Sequence, residues 1–123
     1  MHALVSLVLV CTVGMASQYG PGVMQSVIHN RHVINSLPEH LPNVAGYVAV
    51  DDCRHIGSVW WINGERFLVA DCAGDEQTRQ WMRWNGVMVE VDYETAVRWN
   101  TVGRGMQVTI CRLPAGAGQI GAE

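Results

Sequence analysis

The chain has 123 residues, room for one domain and one core. An apolar share of 49% excludes a disordered main body. With 8 Lys+Arg against 11 Asp+Glu, no lysine and arginines scattered from Arg31 to Arg112, the chain lacks the basic footprint of a phosphate binder, so nucleic acid is not an expected partner.

Residues Ala3 to Val13 form a nearly unbroken apolar run, followed by the small residues Gly14 and Ala16. Two readings fit. The run is a secretion signal (1–16) cleaved before Ser17, or it is a buried first β-strand. It is too short to span a membrane as a helix. Its start carries only His2 and the amino terminus as positive groups, and Val10 is too large to precede a lipid-bearing Cys11. Residues 17–113 then form the domain.

Ser17 to Gly22 places two glycines around a proline and predicts a turn. Val23 to Ile34 suits either a short helix or an irregular strand pair, and the closely spaced Pro38 and Pro42 predict a loop. Gly46 to Val50 predicts a strand ending at Asp51-Asp52, and Ile56 to Ile62 another. Asn63-Gly64 is the strongest local signal: its residues suit the left-handed positions of a tight hairpin turn, joining Ser58–Ile62 to Glu65–Asp71.

Asp75 to Trp84 predicts a helix capped by Asp75, with Gln77, Trp81 and Trp84 along one stripe and Asn85-Gly86 as its stop. Val87 to Val91 predicts a strand in which Val87, Val89 and Val91 share a face, so that Glu90 points to solvent or into a groove. Asp92 caps a second short helix, Tyr93 to Trp99, and Met106 to Ile110 alternates as the last strand. Residues 114–123, rich in Ala and Gly, read as a flexible tail. No repeat is strong enough to use, although the strand–Asp–helix units at Asp71 and Asp92 echo one another. Five or six short strands with one or two short helices predict an all-β fold, a small closed or nearly closed barrel.

Cys53 and Cys72 flank the predicted hairpin, where antiparallel neighbours meet the distance a disulfide needs. Buried reduced thiols are the alternative. If Cys11 is retained, the four cysteines allow three pairings. Their spacing is not that of a zinc knuckle, and no G-x-G-x-x-G, P-loop, H-E-x-x-H or G-x-S-x-G pattern occurs, so neither metal nor cofactor is expected. Asp51, Asp52 and His55 at one strand end, like His29 and His32, read as wet surface. Of Trp60 and Trp61, adjacent on a strand, one enters the core and the other is displayed.

Three stretches, in order, resemble the six-stranded double-psi β-barrel family of rare-lipoprotein-A-like lytic transglycosylases, expansins, barwin-like proteins and some endoglucanases. Ala16-Ser17-Gln18-Tyr19-Gly20 is similar to the Ala-Ser-x-Tyr-Gly opening of the bacterial members. Phe67 to Cys72 is similar to their Val-x-Val-x-Asp-x strand, and Val91-Asp92-Tyr93-Glu94-Thr95-Ala96-Val97-Arg98-Trp99 to their Ile/Phe-Asp-Leu-Ser-x-x-Ala-Phe segment. The chain departs from the pattern at Cys72-Ala73, where bacterial members have Arg-Gly. It departs again at Tyr93-Glu94, and at Glu90, which stands where expansins have His.

The resemblance implies a secreted, extracellular or periplasmic barrel that binds cell-wall polysaccharide or peptidoglycan and cleaves or loosens it. Asp71 and Asp92 are then the catalytic carboxyls, one donating a proton to the glycosidic oxygen, with Tyr19, Glu90, Trp60 and Trp61 along the substrate. The competing role for the two aspartates is to accept backbone hydrogens at turn and helix starts. The competing function is a non-enzymatic structural or protein-interaction module, with self-association through surplus aromatics.

Overall fold

The computed structural model describes residues 8–33, 37 and 41–114. The predicted tail falls outside the described residues except for Pro114. Six strands close into a barrel: β1 (Val10–Gln18), β2 (Gly46–Val50), β3 (Val59–Ile62), β4 (Glu65–Cys72), β5 (Val87–Val91) and β6 (Met106–Arg112), in the circular order β1-β5-β2-β4-β3-β6. Helices α1 (Val23–Val33), α2 (Glu76–Trp84) and α3 (Tyr93–Trp99) and a 3-10 turn at Cys53–His55 lie between strands. This is the expected all-β barrel with one helix more than expected, because Val23 to Val33 resolves into α1.

Period-2 alternation builds the barrel from these residues. Val48, Val50, Phe67, Val69, Val89, Val91, Val108 and Ile110 turn inward and form one buried cluster with Trp60 and Ile62. Leu68 and Ala70, alternating with them on β4, turn outward and meet Met24 of α1 and Leu37, with Tyr19, Ile28 and Tyr47 alongside. The outer face of β4 and β2 is therefore covered by α1 rather than by water.

The pairings repeat. β1–β5 and β2–β4 are parallel, while β1–β6, β3–β4, β2–β5 and β3–β6 are antiparallel. Advancing each strand of the first half by three (β1 to β4, β2 to β5, β3 to β6) reproduces every neighbour and every direction. The two halves, β1-α1-β2-turn-β3 and β4-α2-β5-α3-β6, are thus related by an approximate two-fold, the duplicated crossing of a double-psi barrel. The sequence echo between Asp71 and Asp92 does not follow this relation. Asp92, N-cap of α3 after β5, corresponds to Asp52, N-cap of the turn after β2.

Residues 10–18 form strand β1, largely exposed until Ala16; the strand pairs with β6 from Val10 to Ala16 and with β5 from Met15 to Gln18. Ser17 and Gln18, placed in a turn by the sequence, complete this strand. Cys11–Cys111 joins β1 to β6, and the expected Cys53–Cys72 bond joins the 3-10 turn to the end of β4. The Asn63-Gly64 turn forms as predicted, with φ of 51° and 81°, and Asn63 Oδ1 also accepts the Thr109 amide at 3.0 Å.

Candidate functional site

β4 carries a register shift against β2: Val48 pairs with Val69, but Ala49 pairs with Asp71. Strict alternation would turn Asp71 into the barrel with Phe67 and Val69. The extra residue at Ala70 turns it outward instead, toward α1. There the Tyr19 hydroxyl donates to Asp71 Oδ2 at 2.6 Å and Arg31 Nη2 donates to Oδ1 at 2.7 Å. Arg31 reaches from the last turn of α1 and lies 3.9 Å from Cys72 Sγ in the adjacent disulfide. Asp71 and Arg31 are both largely enclosed, with side chains 15% and 23% exposed, so their ion pair is shielded from bulk screening.

Glu90 belongs to the same surroundings. Burial raises its pKa above the ordinary glutamate value; the Ser17 hydroxyl partly offsets this, and the charge of Asp71 adds to it. Ser17 Oγ is itself buried without a properly formed hydrogen bond. Burial also holds the Tyr19 hydroxyl far above its usual pKa, helped by the bond to Asp71 and by the charges of Asp71 and Glu90, with Arg31 opposing. Ser17, Tyr19, Arg31, Asp71 and Glu90 thus form one polar group on the outside of the barrel.

Asp92 is held elsewhere. Its Oδ1 accepts the Thr95 hydroxyl and, at 3.2 Å, the Tyr47 amide. It is 5% exposed, and burial raises its pKa against the pull of these two bonds. A β-carbon at Gly46 would sit 2.7 Å from Asp92 Oδ1 and 2.9 Å from the Phe67 ring, so only glycine lets β2 pass this corner. Asp92 precedes α3 without accepting a helix amide through its side chain. The side-chain contacts of Asp71 run to Tyr19 and Arg31, those of Asp92 to Thr95 and Tyr47.

Trp60 and Trp61, adjacent on β3, face opposite ways as expected. Trp60 is the inward member of its pair, 4% exposed, with the Arg112 guanidinium 4.7 Å over its ring and His55 edge-on at 5.2 Å. Trp61 is half-buried on the opposite face. The most exposed aromatic side chain of the described residues is Trp84, at 81%, with Trp81 at 47% one turn earlier on α2. The stripe predicted there faces away from the barrel, because α2 docks through Met82.

Among the described residues, no three His, Cys, Asp or Glu side chains group as metal ligands, and no helix is long and apolar enough to cross a membrane. Arg31 was missed by the sequence reading. Its only signal in the sequence is a cation near the end of a segment that suits either helix or strand.

The molecule defines a class: a closed six-stranded mixed barrel with short helices, two disulfides and a partly buried acidic cluster on its outer face. Comparison of the chain with protein families, curated proteins and solved structures finds no match.

Proposed function

We propose that this chain is a secreted barrel domain that binds cell-wall polysaccharide across the outer face around Tyr19, Arg31, Asp71 and Glu90, and cleaves or loosens it there. The observation that carries this reading is the cluster itself. A tyrosine hydroxyl, a guanidinium and two carboxyl groups from four separate segments converge on one side of a rigid shell. Such groups satisfy the hydroxyls of a sugar chain while apolar neighbours such as Tyr47 meet its ring faces. Two disulfides suit an oxidising compartment, where a cell-wall polymer would be met.

The test is sedimentation of the protein with insoluble peptidoglycan and with β-1,3- and β-1,4-glucans. The intact protein is expected to co-sediment with at least one polymer, and Tyr19→Phe combined with Arg31→Gln to weaken that retention about tenfold or more. No retention on any of them would remove the reading.

A protein-interaction module is the second reading, and it has an observation of its own in Trp81 and Trp84, exposed together on α2. If Trp81→Ala and Trp84→Ala abolish association with a partner while polymer binding is absent, this second reading replaces the first.

A further inference from the structure

Three pairings, taken in sequence across the sheet, place one residue from each of four neighbouring strands in a single row. Ser17 of β1 pairs with Glu90 of β5, Glu90 with Ala49 of β2, and Ala49 with Asp71 of β4. Val48 and Val50 turn inward, as do Val89 and Val91, so Ala49 and Glu90 turn outward, and the irregularity at Ala70 puts Asp71 on that same side. Two strand spacings separate the backbones of Glu90 and Asp71, about 10 Å. Between them stands a residue with only a methyl group, and Ala49 is 2% exposed, so the longer side chains close over it. Asp92 is two residues beyond Glu90 and occupied with Thr95 and Tyr47.

We infer that Glu90, rather than Asp92, is the acid of this site, donating its proton to a glycosidic oxygen of the bound polysaccharide opposite the Asp71 carboxylate. The inference rests on the polysaccharide reading above. It assigns a catalytic role that the family likeness places on Asp92.

The chemistry is hydrolytic. As the bond between the anomeric carbon and the glycosidic oxygen breaks, that oxygen takes the proton of Glu90. A water molecule forms the new bond to the anomeric carbon and gives its proton to Asp71. Exchange with solvent then returns a proton to Glu90 and removes one from Asp71, so the net change is addition of one water across one glycosidic bond. Tyr19 and Arg31 each use one side of the Asp71 carboxylate and fix its orientation. Ser17, paired with Glu90 across β1 and β5, sets its hydroxyl beside the Glu90 carboxyl and is a positioning residue. Burial of Glu90 keeps its proton available at a higher pH than an exposed glutamate would, and the Asp71 charge works in the same direction.

The experiment follows soluble fragments released from peptidoglycan and the two glucans by the intact protein, Glu90→Gln, Ser17→Ala and a surface control, Glu65→Gln. Retention on the polymer and thermal unfolding are measured alongside. The expected result is product from the intact protein and from Glu65→Gln. Glu90→Gln should fold and stay bound but release product roughly 10²–10⁴-fold more slowly. Ser17→Ala should shift the alkaline limb of the pH–rate profile upward, since its hydroxyl lowers the Glu90 pKa. Undiminished release by a folded Glu90→Gln overturns the inference. Retention of the intact protein without any product also overturns it, while leaving polysaccharide binding in place. Absence of retention removes the binding reading and the inference together.

Discussion

Burial sets the proton affinities of Glu90 on β5 and of Asp92 just beyond that strand, and it does so for different ends. Asp92 is enclosed at a corner where Gly46, Phe67 and Thr95 crowd together, and its two hydrogen bonds tie the start of α3 to β2. Asp92→Ala is expected to destabilise the fold by about 1–3 kcal/mol, because the Tyr47 amide and Thr95 hydroxyl lose their acceptor; chemical denaturation measures it. Glu90 has no comparable set of donors. Its folded pKa lies above the unfolded value near 4.5, so the folded state holds the proton more tightly. The stability this contributes is complete below the unfolded pKa and is lost as pH rises through the folded one. Glu90→Gln should therefore gain melting temperature relative to the intact protein as pH goes from 4 to 8. A difference that stays constant across that range would show that the Glu90 carboxyl carries no such burden.

At the scale of elements, legibility followed how local the cause was. The Asn63-Gly64 turn was readable because two adjacent residues adopt positive φ and nothing distant is needed. Gly64→Ala should cost about 1–2 kcal/mol, read as a lowered denaturation midpoint with an unchanged slope. The Asp75 cap was readable for the same reason, since its carboxylate accepts the Thr78 amide three residues on, at 2.7 Å. β4 was readable as a strand, but its two-residue alternation predicts Asp71 inside the barrel. The bulge that turns it outward arises from pairing with β2, some twenty residues earlier in the chain. α2 shows the converse. Its Trp81 and Trp84 spacing marks an apolar stripe, yet the docking face is chosen by where β5 lies, and Met82 fills it. The outward turn of Asp71 and the position of Arg31 are tertiary events, so a pair of strand-end aspartates was visible in the sequence, while the neighbourhood of Asp71, with Glu90 and Arg31, was not.

For the molecule as a whole, the approximate two-fold explains why β1 matters as much as β4. Each is the first strand of its half, and each is paired on both sides, parallel to one neighbour and antiparallel to the other. An apolar run with small residues at its end has the composition of a secretion signal and of such a strand alike, so hydrophobicity alone cannot separate them. In the barrel, β1 makes seven pairings with β6, from Val10–Arg112 to Ala16–Met106, and is joined to it by a disulfide spanning 100 residues. On loop entropy that bond contributes about 5 kcal/mol, against about 3 for Cys53–Cys72 across 19 residues, so removing Cys11–Cys111 by paired serine substitution should cost more. A chain beginning at Ser17 loses that bond and every β1–β6 pair together. It leaves β6 with only its two pairings to β3, opens the barrel along one seam and exposes Val108 and Ile110. It is therefore expected to bind hydrophobic dye and to unfold without a cooperative transition, whereas the chain that keeps Cys11 unfolds in one step. A cooperative melt from the shortened chain would mean that β1 up to Ala16 is dispensable to the barrel.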